Sequence, residues 1–111
     1  MTIKKYNKLV RDKIPQIIFS QGSRAKVYIA NEIEYTAHLK EKLQEEVSEF
    51  IDNPCVDELA DIQEVILTLA ALNGWEELLE EKRVAKNINR GGFSKRFILI
   101  EVDDGKQEKS N

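Results

Sequence analysis

The chain has 111 residues, a formal net charge of -3 at pH 7 and one cysteine, Cys55. This length suits one domain with a modest core, and a single cysteine excludes a disulfide framework and a thiolate zinc cluster. No apolar run approaches the roughly 20 residues that span a bilayer, and the basic N-terminus lacks the apolar stretch of a signal peptide. We therefore expect a cytoplasmic protein with no membrane partner, and the acidic balance argues against a dedicated nucleic-acid binder.

The N-terminal part of the chain predicts an irregular entry followed by a short helix. Residues 1–13 show no helical or strand pattern. Asp12 is a suitable N-cap, and Pro15 fits the first turn of a helix that would run to about Gln21. Gly22 then ends it.

The rest of the chain predicts a mainly all-α fold with three long helices, at about residues 32–52, 55–73 and 75–89. Asn31 is a good N-cap for the first of them, and Glu34 completes a capping box. Asn53-Pro54 separates the first two. Nearly every side of the second helix is apolar between Ile62 and Leu72, which predicts burial between helices or at an oligomer interface.

Two other segments have β character, at residues 24–30 and 97–102. We expect a small two-stranded ribbon that pairs residues 26–30 with 97–101. A single domain would then cover residues 1–102, and residues 103–111 would form a polar, disordered tail.

Four acidic residues are arranged symmetrically about the Asn53-Pro54 turn. They are Glu46, Glu49, Glu58 and Asp61. In an antiparallel helical hairpin, Glu49 would lie level with Glu58, and Glu46 level with Asp61. Within each helix the i,i+3 spacing puts both carboxylates on one face. Converging carboxylates repel one another unless a cation joins them, and an oxygen-only cluster suits Mg²⁺, or Mn²⁺, better than zinc.

The apolar pattern indicates that this cluster faces inward. Leu39, Leu43, Glu46 and Phe50 follow the spacing of a packed helix seam, so Glu46 occupies a position that calls for an apolar residue. The alternative is a solvated helix face that happens to be rich in acids, since a third of the residues are charged.

Basic residues lie apart from this acidic centre, in two candidate groups for binding substrate phosphates. The groups are Lys8, Arg11 and Lys13 near the N-terminus, and Lys82, Lys86 and Arg90 with the adjacent Asn87 near the end of the third long helix. Cations near a helix C-terminus also occur simply because they interact favourably with the helix dipole. For the first group, the alternative is that Arg11 pairs structurally with an acidic side chain.

Three stretches of the sequence together resemble one protein family. EEVSEF at 45–50 with DELADIQEVI at 57–66, YNKLVRDKIP at 6–15 and KNINRGGF at 86–93 resemble a small single-domain branch of the MazG-like, all-α nucleoside triphosphate pyrophosphohydrolases. Some members of that branch are described as phosphoribosyl-ATP pyrophosphohydrolase-like. The connection between Glu49 and Glu58 is shorter than in many relatives, so the resemblance does not carry substrate preference over.

The resemblance implies a helical bundle completed by oligomerisation, as a homodimer or homotetramer. It implies Mg²⁺-dependent cleavage of a nucleotide between its α- and β-phosphates, with metal ligands Glu46, Glu49, Glu58 and Asp61. Glu45 belongs to the motif but lies one residue off the inward stripe, where it would support the ligands or position water.

Three functions remain open from the sequence. The first is a pyrophosphohydrolase of non-standard or surplus nucleoside triphosphates. The second has the same chemistry on phosphoribosyl-ATP in histidine synthesis. The third is a non-enzymatic helical interaction or regulatory module whose acids are surface charges.

Overall fold

The structure of the chain is a computed structural model that describes residues 2–105. Across this range the helices are α1 (Ile14–Ser20), α2 (Glu32–Asp52), α3 (Val56–Leu72) and α4 (Glu76–Arg90). These residues contain no β-strand, so the predicted all-α class is confirmed for them. The sequence predicts the bounds of α2 correctly, and those of α3 and α4 to within one residue at each end.

The predicted two-stranded ribbon is wrong. Residues 26–30 and 97–101 are described, but neither segment forms a strand. Ile29 is 98% exposed and Ile100 is 89% exposed. An isolated pair of strands is marginally stable in water, and β propensity alone does not supply the apolar packing that a ribbon needs.

Helix α1 begins one residue later than an Asp12 cap requires, so that part of the prediction is also wrong. The Ile14 N–H donates to the carbonyl of Arg11 at 3.0 Å, which closes a turn and leaves Lys13 as the N-cap without a side-chain cap. Pro15 lies in the first turn as expected. Its fixed φ and missing N–H suit a position where no helical donor is required.

Asn31 caps α2 as its sequence position predicts. Its side chain accepts a hydrogen bond from the Glu34 N–H at 2.9 Å. The Glu34 carboxylate accepts from the hydroxyl of Tyr28 at 2.8 Å, and this bond raises the pKa of Tyr28. This hydrogen bond joins the segment before α2 to the first turn of the helix.

Helices α2 and α3 pack together as a hairpin across a three-residue connection. Asn53 ends α2 through a bond from its N–H to the carbonyl of Glu49, and Pro54 follows. The buried apolar side chains of the described chain are Leu39 on α2 with Val65 and Ala70 on α3. This small core holds the two helices in register and thereby positions their acidic residues.

The predicted burial of α3 is only partly observed. Val65 and Ala70 are buried, whereas Ile66 is 39% exposed and Leu67 is 49% exposed. Gly74 ends the segment in a left-handed conformation (φ 72°), and no side chain lies near the place that a Cβ would take. Nearby, the Trp75 N–H donates to the carbonyl of Ala70, which satisfies one of the last carbonyls of the helix.

The chain divides into two compact units, the first ending at Glu76 and the second beginning at Glu77. The first contains α1 and the α2–α3 hairpin. The second contains nearly all of α4 and the residues after it, and each of its described residues is exposed. The prediction of one domain over residues 1–102 stays a prediction. The predicted disordered tail, 103–111, lies largely outside the described residues, which end at 105.

None of the described helices is both long enough and apolar enough to cross a membrane.

Candidate metal centre

The α2–α3 hairpin brings three carboxylates into one group. Glu46, Glu58 and Asp61 each offer an oxygen, and these oxygens lie within 4.8 Å of one another. Glu46 is buried, with 5% of its surface exposed, whereas Glu58 and Asp61 are partly exposed. Glu58 and Asp61 share a face of α3 because they are three residues apart. The hairpin packing places that face beside Glu46.

A second group on α2 shares Glu46 with the first. It contains Glu45, Glu46 and Glu49, whose oxygens also lie within 4.8 Å of one another. The four residues predicted as ligands therefore do not form a single group within the described residues. Counting residues from the turn gives the height of each side chain along its helix but not its rotation about the axis. Glu49 is exposed and is grouped with its own helix neighbours, Glu45 and Glu46.

Two buried carboxylate oxygens of the cluster have no hydrogen-bond partner in the described structure. They are Oε2 of Glu46 and Oε2 of Glu58. An unsatisfied buried polar group costs about 1–3 kcal/mol, so native proteins rarely retain one without a reason such as a bound ion. The two oxygens belong to the same three-residue group, which makes that group the strongest candidate site for a cation.

Burial raises the pKa of Glu46 above its ordinary value. The adjacent carboxyl of Glu49 raises the pKa further, and Lys42 opposes both effects. Desolvation disfavours the charged carboxylate because the interior solvates a charge less well than water does. A cation bound at this position would favour the charged form and offset the effect of burial.

Lys42 is a neighbour of the cluster that our sequence analysis missed. Its Nζ lies 3.3 Å from Oε1 of Glu46 and 3.8 Å from Oε1 of Glu45. The residues are spaced i,i+4 and i,i+3 on α2, so helical periodicity alone could have identified the contact. Lys42 neutralises part of the acidic charge on the α2 side of the cluster.

The N-terminal segment contributes two further cations to the acidic residues. Nη2 of Arg11 donates to Oδ1 of Asp61 at 2.6 Å, and Nζ of Lys8 donates to Oε1 of Glu45 at 3.1 Å. Arg11 therefore pairs with an acidic side chain, as the alternative interpretation predicts, and its binding to phosphate stays a prediction. The Arg11 side chain is 55% exposed and that of Asp61 is 36% exposed. Solvent-exposed pairs of this kind contribute about 0–1 kcal/mol, so neither acid is held firmly by its partner.

The other predicted phosphate-binding residues are all exposed. Lys13 is exposed and forms the N-cap of α1. The candidates on α4 all lie in the second unit and all are exposed, namely Lys82, Lys86, Asn87 and Arg90. Their spacing still defines one basic face of α4. The contacts of the described residues assign this face no ligand.

The three-carboxylate group fits Mg²⁺ by donor type and by size. Its donors are all carboxylate oxygens, which are hard ligands that suit Mg²⁺ or Mn²⁺. Two oxygens on opposite sides of an octahedral Mg²⁺ ion stand about 4.2 Å apart, since each Mg–O bond is about 2.1 Å. The oxygens of Glu46, Glu58 and Asp61 lie within 4.8 Å of one another, a limit close to that separation.

Comparison of the chain with known protein families, curated protein sequences and solved structures found no significant match.

Proposed function

We propose that the chain is a Mg²⁺-dependent nucleotide pyrophosphohydrolase that cleaves between the α- and β-phosphates of a nucleoside triphosphate. The products would be a nucleoside monophosphate and pyrophosphate. The observation that carries the proposal is the pair of unpartnered buried oxygens on Glu46 and Glu58, grouped with Asp61. Carboxylates on a solvated helix face are hydrated by water, whereas a bound cation would supply the partner that these two buried oxygens lack.

The described side chains supply the functions that this reaction needs. Glu46, Glu58 and Asp61 would hold Mg²⁺, with Glu49 joining from the second group. When bound, Mg²⁺ screens the negative charge of a triphosphate and activates water for attack on the α-phosphorus. A carboxylate accepts the proton of that water. Glu45 and Glu49 are suited to this role because both are more exposed than Glu46.

The charge on the departing pyrophosphate calls for cationic side chains close to the cluster. Arg11 and Lys8 are already beside it, within hydrogen-bonding distance of Asp61 and Glu45 respectively. Lys42 is also near, but its side chain is only 18% exposed and it faces Glu46. Its proposed role is to balance the charge of the cluster, and the two N-terminal cations would meet the substrate.

The proposed substrate, oligomeric state and cellular location rest on the sequence alone. The resemblance of the 45–50, 57–66 and 6–15 stretches to MazG-like pyrophosphohydrolases supports a nucleoside triphosphate as substrate. It also supports a bundle completed by a second copy of the chain, as a dimer or tetramer. A cytoplasmic location would give the protein access to free nucleotides.

Hydrolysis assays over canonical, deoxy and modified nucleoside triphosphates, and over phosphoribosyl-ATP, test the proposal. We expect Mg²⁺-dependent release of pyrophosphate and a monophosphate, with activity lost in Glu46→Gln. Glu64→Gln is the matched control, because Glu64 is an exposed glutamate of α3 outside both carboxylate groups. Equal activity in Glu46→Gln and wild type would contradict the site.

The product analysis separates the remaining functions. Release of orthophosphate and a diphosphate would contradict cleavage between the α- and β-phosphates. Turnover confined to phosphoribosyl-ATP would assign the second function considered from the sequence. If neither substrate class is hydrolysed and calorimetry detects no Mg²⁺ binding, the cluster is a charged helix face and the protein is a non-enzymatic helical module.

A further inference from the structure

The side chains that neutralise the acidic cluster differ in how firmly they are held. Lys42 is mostly enclosed and lies on the same helix as its partners Glu45 and Glu46. Arg11 and Lys8 instead come from a segment without helix or strand, and their side chains are 55% and 43% exposed. Their contacts with Asp61 and Glu45 bridge 50 and 37 residues of sequence. These two cations are therefore the ones that can leave.

The two long-range ion pairs also leave the inner part of the cluster open. Arg11 donates to Oδ1 of Asp61, and Lys8 donates to Oε1 of Glu45. Oε2 of Glu46 and Oε2 of Glu58 accept no hydrogen bond among the described residues. A divalent cation can therefore bind the inner oxygens first. Once it neutralises Asp61 and its neighbours, the attraction that holds the guanidinium on Asp61 falls.

We infer that Arg11 and Lys8 are exchangeable counter-ions: they pair with Asp61 and Glu45 in the metal-free protein and move to the substrate's phosphates when Mg²⁺ binds. This inference rests on the proposed function. The guanidinium of Arg11 is suited to the exchange because its planar donors match a carboxylate and a phosphate equally well. Lys8 acts as a second, non-directional positive charge.

A hydrogen bond keeps Arg11 near the cluster during such an exchange. Its carbonyl accepts from the Ile14 N–H at 3.0 Å, so its backbone is joined to the start of α1. The side chain can then turn from Asp61 to a phosphate without displacement of the whole segment. Mg²⁺ and the two N-terminal cations compete for the same acidic side chains, but together they attract an anionic substrate. Removal of one of these cations should therefore strengthen Mg²⁺ binding and weaken binding of the anion.

Calorimetric titrations with Mg²⁺ alone, and with inorganic pyrophosphate in the presence of Mg²⁺, test the exchange. We expect Arg11→Gln to bind Mg²⁺ about two- to fivefold more tightly, because a surface ion pair that competes with the metal is removed. The same variant should bind pyrophosphate several-fold more weakly. Lys8→Gln should show both effects to a smaller extent and provides a second variant if Arg11→Gln folds poorly.

Lys5→Gln is the matched control, since it removes one positive charge from the same segment at a position with no hydrogen bond or ion pair to the cluster among the described residues. It should bind both probes as the wild type does. Equal effects of Lys5→Gln and Arg11→Gln would overturn the exchange in favour of a general charge effect. Unchanged or weaker Mg²⁺ binding in Arg11→Gln, or unchanged pyrophosphate binding, would also overturn it.

These outcomes are distinct from a failure of the proposed function. Suppose that wild-type protein binds Mg²⁺ and Glu46→Gln does not, but Arg11→Gln binds both probes as wild type does. This result would support the metal site and contradict the exchange. If wild-type protein binds no Mg²⁺ at all, both proposals fall together.

Discussion

The buried carboxylate of Glu46 carries an electrostatic cost in the metal-free protein. Burial and the neighbouring Glu49 raise its pKa in the folded state above the ordinary value of 4.5. A carboxyl with a raised pKa contributes stability that is complete below the unfolded-state pKa and is lost as pH rises through the folded-state pKa. The metal-free protein is therefore penalised by this residue at neutral pH.

We predict that Glu46→Gln raises the stability of the metal-free protein at pH 7 by on the order of 1 kcal/mol, because it removes a buried charge and keeps the shape of the side chain. The gain should shrink as pH falls through the folded-state pKa of Glu46, where the wild-type carboxyl is already neutral. Urea denaturation of both proteins across this pH range measures the difference. A gain that does not depend on pH would contradict the electrostatic explanation.

The two carboxylate groups should contribute unequally to the affinity for Mg²⁺. Glu58 is partly enclosed and has an unpartnered oxygen, whereas Glu49 is exposed and lies in the other group. We predict that Glu58→Gln weakens Mg²⁺ binding by about tenfold or more, equivalent to about 1.4 kcal/mol, and that Glu49→Gln has a smaller effect. Calorimetric titration gives both affinities. Glu64→Gln should leave the affinity unchanged, and the reverse order of Glu58 and Glu49 would mean that the second group holds the ion.

At the scale of the helix, the hairpin that carries the site depends on where α2 begins. The Asn31 side chain satisfies the Glu34 N–H, one of the donors without an intrahelical partner at the N-terminus. We predict that Asn31→Ala lowers the free energy of unfolding by about 1 kcal/mol, whereas Asn31→Ser, which keeps an acceptor, changes it much less. Thermal unfolding of the two variants measures this. Equal losses would show that the cap bond contributes little.

The helices were predictable because their signals are local. Asn31, Pro54 and Gly74 mark helix ends through backbone chemistry that depends on a few adjacent residues, and the bounds of α2 were correct. The ribbon was wrong because strand pairing depends on contacts between distant segments, which β propensity does not specify. The start of α1 was wrong because the turn at Arg11 excludes Asp12 from the cap position.

The site was predictable in composition but not in arrangement. Seam periodicity placed Glu46 inside, and its burial agrees with that. Glu49 belongs to the group on α2 and not to the group that contains Glu58. A count of residues from the turn does not give the rotation of each helix about its axis. The contacts of Lys8 and Arg11 join segments 37 and 50 residues apart, so only the tertiary structure shows which acids they meet.

At the scale of the whole molecule, the described residues bury few apolar side chains and leave many large ones exposed. The buried apolar side chains among the described residues are Leu39, Val65 and Ala70, while several large apolar side chains of α3 are exposed, namely Val56, Leu59, Ile66 and Leu67. Contiguous exposed apolar surface is typical of a protein interface. A second copy of the chain is the partner that the proposed helical bundle requires.

We predict that the protein self-associates in solution, and that Ile66→Glu shifts it towards the monomer. The side chain of Ile66 is 39% exposed, so the charged residue can remain in water in a monomer but would lose that water in an apolar interface. Sedimentation equilibrium at several protein concentrations gives the mass of each species. Gln44→Glu is the matched control, because it adds a charge at an exposed polar position of α2, outside the exposed apolar residues of α3, and should not alter the association. A wild-type protein that is monomeric at all concentrations tested would contradict the prediction. Equal dissociation by both variants would indicate a general charge effect instead of an interface on this face of α3.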